Sequence, residues 1–385
     1  MGKLDLESIA NSLAGLGQVR LKSDACIRGK SPWATCNYCR DVCPVGGIEL
    51  AKGYPEIREC QRCGLCAVAC PTGALADPER THSFYLARGQ ESIAATGQAC
   101  FTCSRQAEEQ KRDEWIAASC LGAVAPEVMV ALAVKGQVAF SYHTDRCAAC
   151  PWGPKGEEVF LASFNWAKKT IASMGLSEQR LYKGSTFATL SSNRKTPGKG
   201  TGYAYGTAAM GRREFFRSLV RGLKLQGVKV ELASSPSAQL VNVSRTAILQ
   251  RAVMEARPTG GYSANACLEL ASLEITGPCY LCNICSRLCP AGALQLIEGE
   301  LKFYPARCTH CGLCQAVCPH HSLTWGENLS LEMVATEGCC ILATATKHRC
   351  NKCGETFRAN LWAEECLRCA LNRQLPGRGA GKEGG

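Results

Sequence analysis

The chain has 385 residues, 46% of them apolar, with a formal charge of +11 and 28 cysteines. That length allows two to four domains with packed cores. No apolar stretch approaches the ~20 residues needed to cross a bilayer, and the start, Met1-Gly2-Lys3-Leu4-Asp5, has no secretory pattern. A soluble, cytoplasmic protein without a membrane span is expected, its cysteines serving as metal ligands rather than disulfides.

In chain order, the first cysteine group is Cys26, Cys36, Cys39 and Cys43-Pro44, followed by Cys60, Cys63, Cys66 and Cys70-Pro71. Residues 96–190 alternate short apolar runs with amphipathic stretches, a βα pattern. It predicts strands at 114–119 and 137–142, and helices at 126–134, opening on Pro126, and 157–174, stopping at Gly175. Cys100, Cys103, Cys120, Cys147 and Cys150 fall at the ends of these strands, where open α/β folds place functional groups.

Residues 191–210, rich in Gly, Ser, Thr and Lys, read as a flexible linker. Residues 212–225 read as an amphipathic docking helix; its Arg212-Arg213 opening is similar to an export signature, but it lies mid-chain and basic residues break its apolar run. Cys279, Cys282, Cys285 and Cys289-Pro290, then Cys308, Cys311, Cys314 and Cys318-Pro319, repeat C-x2-C-x2-C-x3-C-P, and residues 282–323 repeat the pattern of 36–75. Cys350-x2-Cys353 and Cys366-x2-Cys369 have the spacing of two metal knuckles, for which structural Zn2+ is expected. Cys267, Cys339 and Cys340 read as buried small hydrophobes, the histidines as structural, and residues 374–385 as a disordered tail.

The doubled motif resembles the bacterial two-cluster ferredoxins. In that family three closely spaced cysteines hold one [4Fe-4S] cluster, and the fourth belongs to the other cluster. The resemblance assigns Cys279, Cys282, Cys285 and Cys318 to one cluster and Cys308, Cys311, Cys314 and Cys289 to its partner. In the first module it assigns Cys60, Cys63, Cys66 and Cys43 to one cluster. There Trp33 stands where a first cysteine belongs, so Cys26 is expected to replace it beside Cys36, Cys39 and Cys70, the alternative being a three-iron cluster or a fourth ligand of another type.

The middle segment resembles the delta-subunit family of methyl-viologen-reducing hydrogenase over about 90 residues. That resemblance implies a [2Fe-2S] cluster on four or all five of Cys100, Cys103, Cys120, Cys147 and Cys150. A zinc site or a redox dithiol remains the alternative there. Each four-thiolate site carries roughly −2, so five of them bring +11 to about +1. The basic charge is then counter-charge, and no nucleic-acid partner is expected.

The expected fold class is α+β: two ferredoxin-like dicluster domains, a middle α/β domain with parallel strands, and a small C-terminal zinc ribbon. The expected boundaries are 1–90, 91–190, a linker with helices over 191–265, 266–335, a ribbon over 336–373, and the tail. The expected function is a non-catalytic iron–sulfur electron-transfer subunit, docked on larger redox enzyme subunits in an anaerobic oxidoreductase complex. The alternatives are an oxidoreductase with its own substrate site at the middle cysteines, or a redox-sensing regulator.

Overall fold

The computed structural model describes residues 18–50, 53–105, 115–184, 243–268, 270 and 272–374. The linker at 191–210, the helix at 212–225 and the tail from 375 lie outside the described residues.

The molecule is built on a four-stranded sheet. Strands β1 (Gln98–Cys103), β2 (Ile116–Ala118), β3 (Gln137–Ser141) and β4 (Leu181–Gly184) are all parallel, in the order β2-β1-β3-β4. Parallel strands are covered on both faces, which is why Ala99, Phe101, Val138, Ala139 and Phe140 are fully buried. Helix α1 (His82–Thr96) starts where the Thr81 hydroxyl accepts from Phe84 N at 3.1 Å and stops at Gly97, whose φ is +79°. Helix α2 (Pro126–Lys135) runs one residue past its expected end. Helix α3 (Gly153–Ser173) starts a turn earlier than expected, because Pro154 suits a first turn.

Helix α4 (Arg245–Ala256) lies in the segment read as linker and helices, yet it joins the core of the sheet domain. It buries Ile248, Leu249, Ala252 and Val253 there. Arg245 at its start reaches Glu127 of α2 at 3.2 Å and also donates to the Val68 carbonyl of the N-terminal module.

Each ferredoxin-like module consists of short antiparallel pairs and single-turn helices. In the first, Arg20–Leu21 pairs Leu75–Ala76 and Ile48–Glu49 pairs Glu56–Ile57, around helices Tyr38–Asp41 and Leu65–Ala69. In the second, Leu273–Ile275 pairs Leu323–Trp325 and Leu294–Ile297 pairs Glu300–Phe303, around Ile284–Leu288 and Leu313–Ala316. Two features differ from the expected boundaries. Cys340–Thr344, assigned to the ribbon, is the third strand of the second module, with Ala343 buried in that module's core. Leu268, Leu329, Leu331 and Val334 at the edges of this module complete the core of the sheet domain instead.

Two close seams join these parts. A Cβ at Gly64 would stand 2.8 Å from the Ala123 Cβ, and one at Gly122 would stand 2.7 Å from Leu65 Cδ2, so the first module and the sheet domain meet almost backbone to backbone. The two modules share a small apolar cluster of Ile27, Ala34, Leu313 and Val317, with Cys36 and Cys311 packed on it.

Phe140 stacks on Phe101 at 5.4 Å between centroids and tilts against Phe160 at 5.3 Å. Phe140→Ala is expected to destabilise the iron-loaded protein by about 3–5 kcal/mol, read as an earlier denaturant midpoint of the sheet-domain transition.

Candidate metal centres

The C-x2-C loops have an unusual backbone. Arg62 (φ +56°), Leu281 (φ +48°) and His310 (φ +55°), each just before a second cysteine, sit in the left-handed region. So do Gly64 (φ +80°), Asn283 (φ +66°) and Gly312 (φ +74°) just after it. Left-handed geometry costs a non-glycine residue about 1–2 kcal/mol, and such turns point successive N–H groups into one concavity, an anion-binding arrangement suited to cluster sulfurs. Neither Thr35 nor Asn37 around Cys36, the second cysteine position of the remaining half-module, has a positive φ, so the half-module that departs in sequence departs in backbone too.

Four cavities carry the motif cysteines, four to each. Cys279, Cys282, Cys285 and Cys318 line one; Cys289, Cys308, Cys311 and Cys314 line the next. In the first module Cys43, Cys60, Cys63 and Cys66 line one cavity, and Cys26, Cys36, Cys39 and Cys70 line the other. Cys26 thus stands with the set to which the spacing argument assigns it. It comes there because a 3-10 turn at Ser23–Ala25 and the helix Ile27–Lys30 fold the intervening loop back.

Burial and crowding work against free thiolates here. Burial, with neighbouring cysteines adding to it, pushes the Cys39 thiol up to about 11 and the Cys285 and Cys308 thiols up to about 12. Cys66 and Cys314 are raised further still, for the same reasons. A cationic metal core inverts this balance, so cavities with four convergent thiols and inward N–H groups fit [4Fe-4S] clusters.

At the carboxyl end of the sheet, where the strand order reverses between β1 and β3, Cys103, Cys120, Cys147 and Cys150 gather. Cys120 is half-buried beneath α3, whose Gly156 would place a Cβ 2.8 Å from its Sγ. Burial pushes the Cys120 thiol up to about 12, with Cys103, Cys63 and Cys147 adding to the rise. Burial pushes Cys147 up to about 11, and Glu157, Cys103 and Cys150 add to that rise. Cys100 does not join them. Strand residues alternate faces, so Cys100 lies across the sheet from Cys103, where its Sγ accepts from Gln98 Nε2 at 3.0 Å beside Tyr182.

In the C-terminal segment a hairpin, Thr346–Arg349 with Thr356–Ala359, and the helix Leu367–Gln374 bring Cys350, Cys353, Cys366 and Cys369 together. Their four sulfurs lie within 4.8 Å of one another, with Cys353 and Cys366 Sγ 3.7 Å apart. A tetrahedral ion with Zn–S bonds near 2.3 Å needs sulfurs about 3.8 Å apart. Among the described residues this is the group of potential ligands that closes to single-ion size. The Cys366 N–H donates to Cys350 Sγ at 3.2 Å and holds that thiol well down, to about 6. Asn360 fastens the segment to the second module: its N–H donates to the Cys279 carbonyl at 2.9 Å, and its Oδ1 accepts from Cys279 N at 2.9 Å.

Cys267 and Cys340 are half-buried, Cys340 against Met333 Sδ at 3.4 Å, but Cys339 is exposed rather than buried because it precedes the strand at a surface turn. Three of the histidines pack at a tilt against aromatic rings: His310 on Trp325, His320 on Tyr280, and His348 on Phe357. His82 is buried, which lowers its pKa to about 4 and keeps it neutral.

The model of a 4Fe-4S dicluster domain matches residues 278–322, and that of a 4Fe-4S binding domain matches residues 58–76. An uncharacterized ferredoxin of Methanocaldococcus jannaschii is 44% identical over 55 residues, which are 14% of this chain and 33% of the relative. A second uncharacterized ferredoxin of that organism is 46% identical over 39 residues, 10% of this chain and 26% of the relative. A subunit of an ion-translocating oxidoreductase complex of Methanosarcina acetivorans is 38% identical over 45 residues, 12% of this chain and 17% of the relative. The chain thus spans a third or less of the curated relatives it matches. No solved structure matches. These likenesses support [4Fe-4S] clusters in ferredoxin-like modules, with iron–sulfur electron transfer as their chemistry.

Serine substitutions sort the sets. Cys26→Ser is expected to lower iron and acid-labile sulfide and Cys100→Ser to leave both unchanged, measured on anaerobically purified protein; unchanged iron in Cys26→Ser would remove Cys26 from its set.

Proposed function

We propose that this chain is an electron-transfer subunit of an oxidoreductase complex and relays single electrons between a donor and an acceptor enzyme. The observation that carries the reading is the gathering of four motif-cysteine sets and a fifth quartet in one packed body. Sixteen cysteines, including Cys26, hold four [4Fe-4S] clusters. Cys103, Cys120, Cys147 and Cys150 hold a [2Fe-2S] cluster, a choice supported by the proximity of these thiols to one another at the carboxyl end of the sheet. The sulfur spacing of Cys350, Cys353, Cys366 and Cys369 supports structural Zn2+.

When bound, the clusters supply the redox chemistry; the chain fixes their spacing and excludes water from them. Backbone N–H groups in the left-handed loops stabilise negative charge on the cluster sulfurs. No helix among the described residues is long and apolar enough to cross a membrane. The partners are larger redox enzyme subunits in a cytoplasmic complex, such as a hydrogenase, formate dehydrogenase, tungsten or molybdenum oxidoreductase, or heterodisulfide reductase. The relative named as an oxidoreductase-complex subunit supports such partnership.

The test is reductive titration of the purified, iron-loaded chain. The reading requires uptake of several electrons from a reduced viologen, return of them to an oxidised acceptor, and no turnover of hydrogen, formate or a disulfide by the chain alone. Turnover by the isolated chain would make it an enzyme and overturn the reading.

A further inference from the structure

Electron carriers with several clusters can arrange them as branches or as a series, and the distinction decides where partners must dock. Tunnelling rates fall exponentially with separation, so packed neighbours exchange electrons far faster than remote centres. Each of the five sets in this chain can therefore be placed by what it packs against.

In the second module the helices bearing Cys285 and Cys314 pack on each other, which makes its two sets neighbours. Across the seam, Ile27 and Ala34 pack on Leu313 and Val317, with Cys36 on one side and Cys311 on the other. Within the first module Cys39 and Cys66 lie in one buried cluster. That same cluster takes in Cys63 from the first module and Cys120 from the sheet domain, over the contact of Gly64 with Ala123.

We propose that the five centres form one unbranched row running from the Cys279 set through the Cys308, Cys26 and Cys43 sets to the Cys103 quartet, with the Ile27–Leu313 seam as the crossing between halves. This rests on the reading of the five sets as redox centres. The ends of the row are open to partners. Of the sixteen cysteines in the four motif sets, Cys282 alone is solvent-exposed, at one end. At the other, the short helix Thr144–Ala148 beside the Cys103 quartet is exposed at Thr144, Asp145 and Ala148, as is Ala149 after it. One electron enters from a low-potential one-electron donor protein at one end and leaves to a one-electron acceptor at the other, with no bond made and no proton moved.

Exposed Cys339 lies on the second module and gives a handle for injecting electrons there. A ruthenium tris-bipyridyl group is attached to it in the iron-loaded full chain, and a flash in the presence of a sacrificial tertiary amine delivers one electron. Iron and sulfide counts come first; absence of five centres would overturn the underlying reading itself. With all five present, the series order predicts a first-order rise of the reduced sheet-domain signal, at a rate independent of protein concentration. Ala34→Glu, or Val317→Asn should the first lose iron, is expected to slow that rise about tenfold or more, a barrier increase of about 1.4 kcal/mol. Reduction by freely diffusing dithionite should stay complete in the variant. A rise as fast in the variant as in the parent, or one that scales with protein concentration, would overturn the row while leaving the centres in place.

Discussion

A thiolate buried among apolar groups and other thiolates is untenable without a cation, and the whole molecule is arranged around that fact. Burial, reinforced by neighbouring thiols, drives the cluster-facing thiols of Cys39, Cys285 and Cys308 well above their ordinary range. Metal binding reverses the penalty, so the modules, whose small apolar cores pack against their own cysteines, draw folding energy from it. On the proposed reading the excess of lysine and arginine serves the same requirement, offsetting the charge that filled sites would carry.

The sheet domain meets a different need. Its core of Phe101, Phe140, Leu132 and Ile171 is apolar, and it recruits α4 together with Leu268, Leu329 and Leu331 from the edges of the second module. The two modules are thereby tethered to one rigid scaffold from both sides. Arg245 makes the tie explicit, because it joins Glu127 of the scaffold to the Val68 carbonyl of the first module. A relay needs its centres held at fixed separation, and the seams at Gly64 and Leu313 provide that through close contact.

Local chemistry was legible in the sequence where ligands follow one another closely. The C-x2-C runs, the Pro after each fourth cysteine, Pro126 at the head of α2 and Gly175 after the end of α3 all carry their meaning within a few residues. Cys26 was reachable because a loop of nine residues can return it to Cys36. What was not legible depends on distant partners. Cys100 has the spacing of a ligand to Cys103, but strand pleating turns it to the other face, and only the register with β3 reveals that the pair is in a strand. The strand Cys340–Thr344 is too short to announce itself, and its place follows from pairing with Glu300–Phe303. Helix α4 lies in a stretch read only as linker and helices, and its docking on α2 depends on a partner more than a hundred residues away.

The central claim is that the cysteine sets are neighbours in a row, and magnetic coupling between reduced centres tests it most directly. In the fully reduced chain, the account predicts that the sheet-domain signal in electron paramagnetic resonance is broadened and relaxes faster through the adjacent Cys43 set. Cys120 and Cys63 share one buried cluster, so the two spins lie close. Loss of that broadening in a Cys66→Ser variant, with the sheet-domain signal retained, is the expected control. A sheet-domain signal that is narrow and unaffected by the state of the first module would contradict the account.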